Sequence, residues 1–491
     1  MFESAELGHS IPKAEYQARE ATLREELLAA QYELLAQKKT PVIVLIGGVD
    51  GAGKGETVNR LNEWMDPRHI ITHAFAEPSD EERDRPRMWR FWRALPPKGR
   101  IGILFGSWYT EPIVSRVLGK CKSAEFERYL QDINHFERML VEEGAIVLKF
   151  WFHLSKKAQR DRLKALEKDS ATRWRVTDHD WEGFKQYDAF RKVSEVALRE
   201  TSTGEAPWII VEGTDPNYRY LTVGQILLDT VRERLANPAP RPVRKNVLPK
   251  AALDGRNLLN GLDFGHKLSK KSYSAKLERY QGKLNLLTRD PRFANRSLIV
   301  VFEGSDAAGK GGSVRRITGA LDARHYAVIP VAAPNEEERA QPYLWRFWRH
   351  LPRKGRVTIF DRSWYGRVLV ERVEGFCSET EWSRAYSEIN DFEEQLTDAK
   401  AIVVKFWVTV TPEEQLRRFK DREATPFKAF KITAEDWRNR EKWADYERAV
   451  CDMVERTSTD KAPWVLVAAN DKYAARIEIL KTLVERVAAE L

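Results

Sequence analysis

The sequence predicts an α/β protein of two tandem three-layer domains, each a five-stranded parallel sheet with helices on both faces. Three observations lead there. The chain repeats itself at a fixed spacing, each repeat alternates short β-branched apolar runs with helix-length segments, and each repeat sets a glycine-rich loop between its first run and a helix.

The repeat is plainest in Met88–Arg100 (MWRFWRALPPKGR) and Leu344–Arg356 (LWRFWRHLPRKGR), which agree at ten of thirteen positions and lie 256 residues apart (344 − 88). The same offset carries Gly53 and Lys54 onto Gly309 and Lys310, Ser107-Trp108-Tyr109 onto Ser363-Trp364-Tyr365, and Lys149-Phe150-Trp151 onto Lys405-Phe406-Trp407. A period this long means tandem domains, because solenoid repeats are only a few tens of residues. Asn237–Pro249 (NPAPRPVRKNVLP) holds four prolines and reads as a stiff, extended join. Domains are therefore expected at 1–235 and 253–491, with a linker at 236–252.

In the first repeat the apolar runs are TPVIVLIGG, HIITHAFAEP, RIGILFGS, AIVLKFWFHL and APWIIVEG; the second repeats them as SLIVVFEG, HYAVIPVAAP, RVTIFDRS, AIVVKFWVTV and APWVLVAAND. Near-continuous β-branched runs separated by helix-length segments such as Ser383–Ala399 imply parallel strands buried on both faces.

Composition bounds the class. The chain has 491 residues, 42% of them apolar, which is ample for packed cores, and its 32% of charged residues mix both signs, unlike an acidic tail or a disordered chain. The formal charge of +9 favours a polyanionic partner without choosing among nucleic acid, anionic lipid and phosphate polymer. Cys121, Cys377 and Cys451, odd in number and without paired spacing, point to reduced thiols. The N-terminal stretch lacks a basic region followed by an apolar one, and no run approaches the ~20 apolar residues of a membrane span, so a cytoplasmic protein is expected.

The chemistry gathers in the second repeat. Phe302–Ser313 (FEGSDAAGKGGS) follows an apolar run and opens a helical stretch, the setting of a phosphate-binding loop. Gly304, Gly309, Gly311 and Gly312 let backbone N–H groups close around oxyanions, the helix N-terminus adds partial positive charge, and Lys310 adds a point charge. Two features depart from the usual loop. Asp306 lies inside it, and Gly311 stands where a Ser or Thr normally supplies a magnesium ligand. A carboxylate beside phosphates needs a cation between them or a proton to handle; a turn-forming Asp is the structural alternative. Ser313 either caps the helix or replaces the missing hydroxyl.

Asp361 ends the run RVTIFD, where open α/β sheets bind ligands and a second carboxylate meets the metal of a nucleotide site. Pairing with Arg362 alone is its structural alternative. Asp306 and Asp361 are thus the candidate metal ligands, with Mg²⁺ the simplest ion and Mn²⁺ the other. If a helix runs past Pro352, Arg346, Arg349 and Arg353 share one face, and arginine forks there suit phosphate oxygens; a solvated basic face is the bland alternative. Arg418, Arg422, Lys428 and Lys431 form a further basic set around Pro426, and Arg367 follows the Asp361 strand.

Taken together, FEGSDAAGKGG, WRFWRHLPRKGR, FDRSWYGRVLVERV and APWVLVAANDKYAAR resemble the polyphosphate kinase type 2 family, P-loop kinases that move a phosphoryl group between inorganic polyphosphate and a nucleotide. The fused two-domain form resembles the subgroup that phosphorylates AMP to ADP. The resemblance implies P-loop kinase-like domains with a helical lid. It implies Asp306 and Lys310 as loop residues that hold phosphate and metal, Asp361 with Arg362 as the second carboxylate motif, and Arg346 with its neighbours as the lid over the reacting phosphates. Inorganic polyphosphate and AMP or ADP are the implied partners, with no nucleic acid and no membrane; a homo-oligomer is compatible with all of this. Other readings stay open. An ATP-dependent nucleoside monophosphate kinase needs the same loop, and a family member acting on ADP or GDP shares the same motifs. A P-loop scaffold on nucleic acid would explain the charge but lacks any nucleic-acid-reading motif.

Subtracting 256 exposes unequal halves. Asp306 and Lys310 map onto Asp50 and Lys54, but Asp361 and Arg362 become Phe105 and Gly106, Gly366 and Arg367 become Thr110 and Glu111, Arg422 becomes Leu166, Pro426 becomes Ser170, and Gly312 becomes Glu56. A site without the second carboxylate and two arginines loses transition-state stabilisation. Catalysis is therefore expected in the second half, with the first a degenerate partner.

Overall fold

The structure, a computed structural model, describes residues 1–237, 257–426 and 432–491. The expected linker from residue 238 onward, and the candidate phosphate ligands Lys428 and Lys431, lie outside the described residues.

Each repeat folds as its apolar runs predict. The first builds a sheet from β1 (Val42–Gly48), β2 (Ile70–Ala74), β3 (Ile101–Phe105), β4 (Ile146–His153) and β5 (Trp208–Glu212); the second builds one from β6 (Ser297–Gly304), β7 (Tyr326–Pro330), β8 (Val357–Asp361), β9 (Ala401–Thr409) and β10 (Trp464–Ala468). All pairings are parallel. The orders are β2-β3-β1-β4-β5 and, in the same sense, β7-β8-β6-β9-β10. In each, the strand feeding the glycine loop is central, and the order reverses beside it, so the crevice at its C-terminal end is the place where an open parallel sheet binds ligands. Central β4 and β9 are buried along their whole length, as strands covered on both faces must be.

Under each sheet lies the same polar pin. Lys405 Nζ donates to Glu393 Oε2 at 2.7 Å, to Tyr365 Oη at 2.8 Å and to the Thr457 carbonyl at 2.7 Å, while Glu393 Oε1 accepts from Trp364 and Tyr365. Lys149, Glu137, Tyr109, Thr201 and Trp108 repeat this arrangement in the first repeat. Both lysines and both glutamates are essentially inaccessible. Burial pulls both lysines below the usual ammonium range. A buried pair survives only when the remaining donors and acceptors are satisfied, and here they are. Because both repeats keep it, although only the second carries Asp361 and Arg362, this network belongs to the fold.

Compact units do not follow the sequence boundary everywhere: residues Ser79–Trp89 belong with the second unit and Pro334–Trp345 with the first. In the second unit Arg85 Nε donates to the Leu351 carbonyl at 2.9 Å, and in the first the Lys98 amide donates to the Ala340 carbonyl at 2.8 Å. The compact units thus depart from continuous domains at 1–235 and 253–491 by these two short segments. Among the described residues no cysteine forms a disulfide and no helix is long and apolar enough to cross a membrane.

Candidate active site

The glycine loop connects β6 to the helix Lys310–Thr318. Gly304 has φ +145°, and a Cβ there would fall 2.0 Å from the Val408 carbonyl oxygen of neighbouring β9, so only glycine fits. Gly311 faces open space, with nothing within 4 Å of a would-be Cβ. Lys310 Nζ folds back on the loop, donating to the Gly304 and Ser305 carbonyls at 2.6 and 3.2 Å. Burial depresses its pKa, partly offset by Asp306, and a desolvated lysine against loop carbonyls is poised to exchange them for phosphate oxygens. Ser313 Oγ back-bonds to the Gly309 carbonyl at the start of its own helix, as Thr57 does to Gly53 in the first repeat.

Parallel register sets the carboxylates. Phe302 of β6 pairs with Asp361 of β8, which puts Asp361 at the mouth of the crevice beside the loop. Its carboxylate has no hydrogen bond or ion pair among the described residues, so it does not pair with Arg362. Arg362 turns the other way: Nη2 donates to Asp306 Oδ1 at 3.2 Å and Nη1 lies 3.7 Å from Glu435. It does so from a left-handed backbone, φ +64°, a strain of about 1–3 kcal/mol for a non-glycine residue. Ala307 in the loop is likewise left-handed, φ +61°. The first repeat has glycine at both places, Gly106 at φ +61° and Gly51 at φ +78°. The left-handed backbone is borne by non-glycine residues in the repeat that carries Asp361, and by glycines in the repeat that lacks it.

Three residues here escaped the sequence reading. Glu303, one step past Phe302, is buried and accepts from Ser363 Oγ at 2.8 Å; burial pushes its carboxyl up to about 7, against the pull of Ser363, Lys310 and Arg362. Asn439, from the helix Ala434–Glu441, donates to Asp306 Oδ2 at 2.9 Å, and Glu435 of that helix faces Arg362. Their counterparts at an offset of 256 are Gly47, Gly183 and His179, so the loss of side chains in the first repeat was a signal in the sequence.

The expected arginines divide. Arg422 lies near enough to Asp306 to feel its charge, and burial lowers its pKa. Arg418 is committed to the scaffold. It pairs with Glu414 at 2.7 Å and donates to the carbonyls of Ala307, Ala308, Ala469 and Asn470, fastening the loop to the end of β10. Arg367 is nearly buried between Glu371 and Glu381. Arg353 pairs with Asp84 at 2.7 Å. The helix meant to align Arg346, Arg349 and Arg353 spans only Trp345–Trp348 and does not run past Pro352, so Arg353 is not on it. Arg349 is exposed. Arg346 donates to the Ala332 carbonyl at 3.0 Å, as Arg90 donates to Ala76 in the first repeat. Trp345, Phe347 and Trp348 are buried, the latter two against Trp364 and Phe392, so this segment is core, and Ala434–Glu441 is the helix that lies over the loop.

A divalent ion fits this set as a partial shell. Asp361 is an unpartnered carboxylate, Asp306 is a carboxylate of the loop itself, and no group of three or more His, Cys, Asp or Glu that would cage a metal alone exists among the described residues. That is how magnesium sits at phosphates: one or two carboxylates, with substrate oxygens and water completing the shell.

The first repeat shows what is missing. Lys54 holds the Gly48 and Val49 carbonyls as Lys310 does its own, but it also pairs with Asp50 at 3.2 Å, and no second carboxylate or strand-end arginine is present.

Comparison with known proteins gives the family. The family model for polyphosphate kinase 2 matches residues 10–238 and again 267–491. A protein of Pseudomonas aeruginosa named polyphosphate:AMP phosphotransferase is 56% identical over 490 residues, covering 100% of this chain and 99% of its own. One of the same name from Acinetobacter johnsonii is 37% identical, covering 96% and 97%. A crystal structure described as a polyphosphate kinase 2 from Pseudomonas aeruginosa superposes with a TM-score of 0.91 at 53% identity, covering 100% of this chain and 99% of that one. With both repeats matched and the loop, strand-end carboxylate and crevice in place, the chain belongs to the polyphosphate kinase 2 family.

Proposed function

We propose that the second repeat transfers a phosphoryl group from inorganic polyphosphate to AMP, giving ADP, with Mg²⁺ as the ion. The observation that carries the placement is the contrast between repeats: Lys310, Asp306, Asp361 and Arg362 surround one loop, and the other keeps only Lys54 and Asp50. The acceptor is supported by the names of the full-length relatives.

An oxygen of the AMP phosphate attacks the terminal phosphorus of the polymer; the new P–O bond forms as the anhydride P–O bond breaks, and the electron pair leaves on a polyphosphate one unit shorter. The acceptor phosphate has its second pKa near 6, so it arrives ionised and needs no strong base. Asp306 is therefore a positioning and metal-side group. What the protein supplies is alignment and charge. Loop amides and Lys310 hold the donor end, Arg362 and Arg422 face the charge that spreads over the transferring oxygens, and Asn439 with Glu435 fixes Asp306 and Arg362 in register. A bound Mg²⁺ would neutralise phosphate oxygens, with Asp361 and Asp306 as its protein ligands.

The test incubates protein, AMP and either polyphosphate or ATP, with and without Mg²⁺. ADP formed from polyphosphate only when the ion is present is the expected result. Product from ATP alone would favour a nucleoside monophosphate kinase.

A further inference from the structure

In the first repeat Glu56 stands on the loop helix Lys54–Trp64 where the second has Gly312 (312 − 256). Its Oε2 accepts from Arg219 at 2.8 Å, and its Oε1 accepts from Arg162 at 3.1 Å and from Arg175 at 3.2 Å. Arg219 comes from the helix Pro216–Ala236 and is 1% exposed. It lies so close to the loop that a Cβ on Gly53 would fall 2.2 Å from its Cζ. Three guanidiniums thus converge on one carboxylate in the first turn of the loop helix, a donor set a phosphate would meet, and a side chain of the protein itself fills it.

The second repeat has the same turn without the carboxylate. Gly312 carries no side chain, and Ala475 replaces Arg219 (475 − 256). The next residue of the helix Lys472–Glu490, Arg476, brings the guanidinium instead, its Nη2 2.8 Å from where a Cβ on Gly312 would be. Among the described residues Arg476 has no hydrogen bond or ion pair. One repeat therefore shows an arginine with its anion, and the other an arginine beside a glycine and without one.

We propose that both repeats hold an anion at this turn: in the first it is the Glu56 carboxylate, which closes that loop to phosphate, and in the second it is a phosphate group of the donor polyphosphate, held by Arg476. The second half of this statement rests on polyphosphate being the substrate. Glycine at position 312 is then a requirement of the donor, because a side chain there would take its place, and the three-arginine cradle of the first repeat is a latent anion site.

Two measurements on the full chain test it. In steady-state assays Arg476→Ala should raise KM for polyphosphate about tenfold or more, the loss of one charged hydrogen-bonding partner, while KM for AMP stays within about twofold; Arg476→Lys should recover part of the loss. An unchanged polyphosphate KM overturns the assignment of Arg476. If the unaltered chain made no ADP from polyphosphate, the functional reading would fail instead, and the first-repeat arm would still stand. For that arm, tripolyphosphate binding is measured calorimetrically in a Lys310→Ala background. Adding Glu56→Gly should create binding that a further Lys54→Ala removes. Binding that depends on Lys54 while Glu56 is intact, or none after Glu56→Gly, overturns the proposal. Glu56→Ala, read by whether tripolyphosphate raises its Tm, serves if the glycine variant does not fold.

Discussion

Replacing Glu303 by Gln should make the protein more stable and less active, and the gain should depend on pH. Glu303 is buried at the end of β6 with one hydrogen bond, from Ser363, and its carboxyl is held up to about 7 against an ordinary value of 4.5. Between those values the folded chain keeps a proton that the unfolded chain has lost, so stability falls as pH rises through the window. At about 1.4 kcal/mol per pH unit, the full penalty for charging Glu303 is about 3 kcal/mol above pH 7, and about 1 kcal/mol is already lost at pH 5. Glutamine has the same shape and never charges. Denaturant midpoints of the two proteins at pH 5 and pH 8 should therefore diverge, with the Glu303→Gln variant ahead by about 1 and about 3 kcal/mol. A gap that did not change with pH would show that Glu303 is not the titrating group and would refute the reasoning. The activity loss follows because Lys310 and Arg362 would lose a facing carboxylate, the usual exchange of stability for function at a site.

Two other outcomes follow from the geometry. Lys405→Met leaves Glu393 buried without its cation and should cost about 3–5 kcal/mol in thermal unfolding; Lys149→Met should cost as much, yet leave turnover intact at temperatures where the variant stays folded. Arg418→Ala frees the loop from the end of β10 and should lower kcat/KM by about 10²-fold, the effect of ~1 Å of misplacement, whereas Arg162→Ala should leave turnover unchanged, since Arg162 points at Glu56.

The sheets, the loop and the inequality of the repeats were legible in the sequence because each rests on local pattern: β-branched runs, glycine punctuation and a constant offset. What stayed hidden depends on tertiary choices. A guanidinium can serve substrate or scaffold, and only packing shows that Arg418 fastens a loop, that Arg367 is held between two acids and that Arg346 repeats the local bond of Arg90. The short helix at Trp345–Trp348 was foreshadowed by Pro352, yet the arginine spacing read as a longer one. Glu303 and Asn439 were missed because a single polar residue, at the end of an apolar run or within a charged helix, carries no motif. Subtraction of the repeats would have found both, as Gly47 and Gly183.

Whether one repeat does all the chemistry is tested most directly by comparing Asp361→Ala with Lys54→Ala for ADP formation from polyphosphate and AMP, each variant checked for folding. Turnover should vanish in the first and persist largely intact in the second. A folded Lys54→Ala protein as inactive as Asp361→Ala would mean that the first repeat takes part in the reaction.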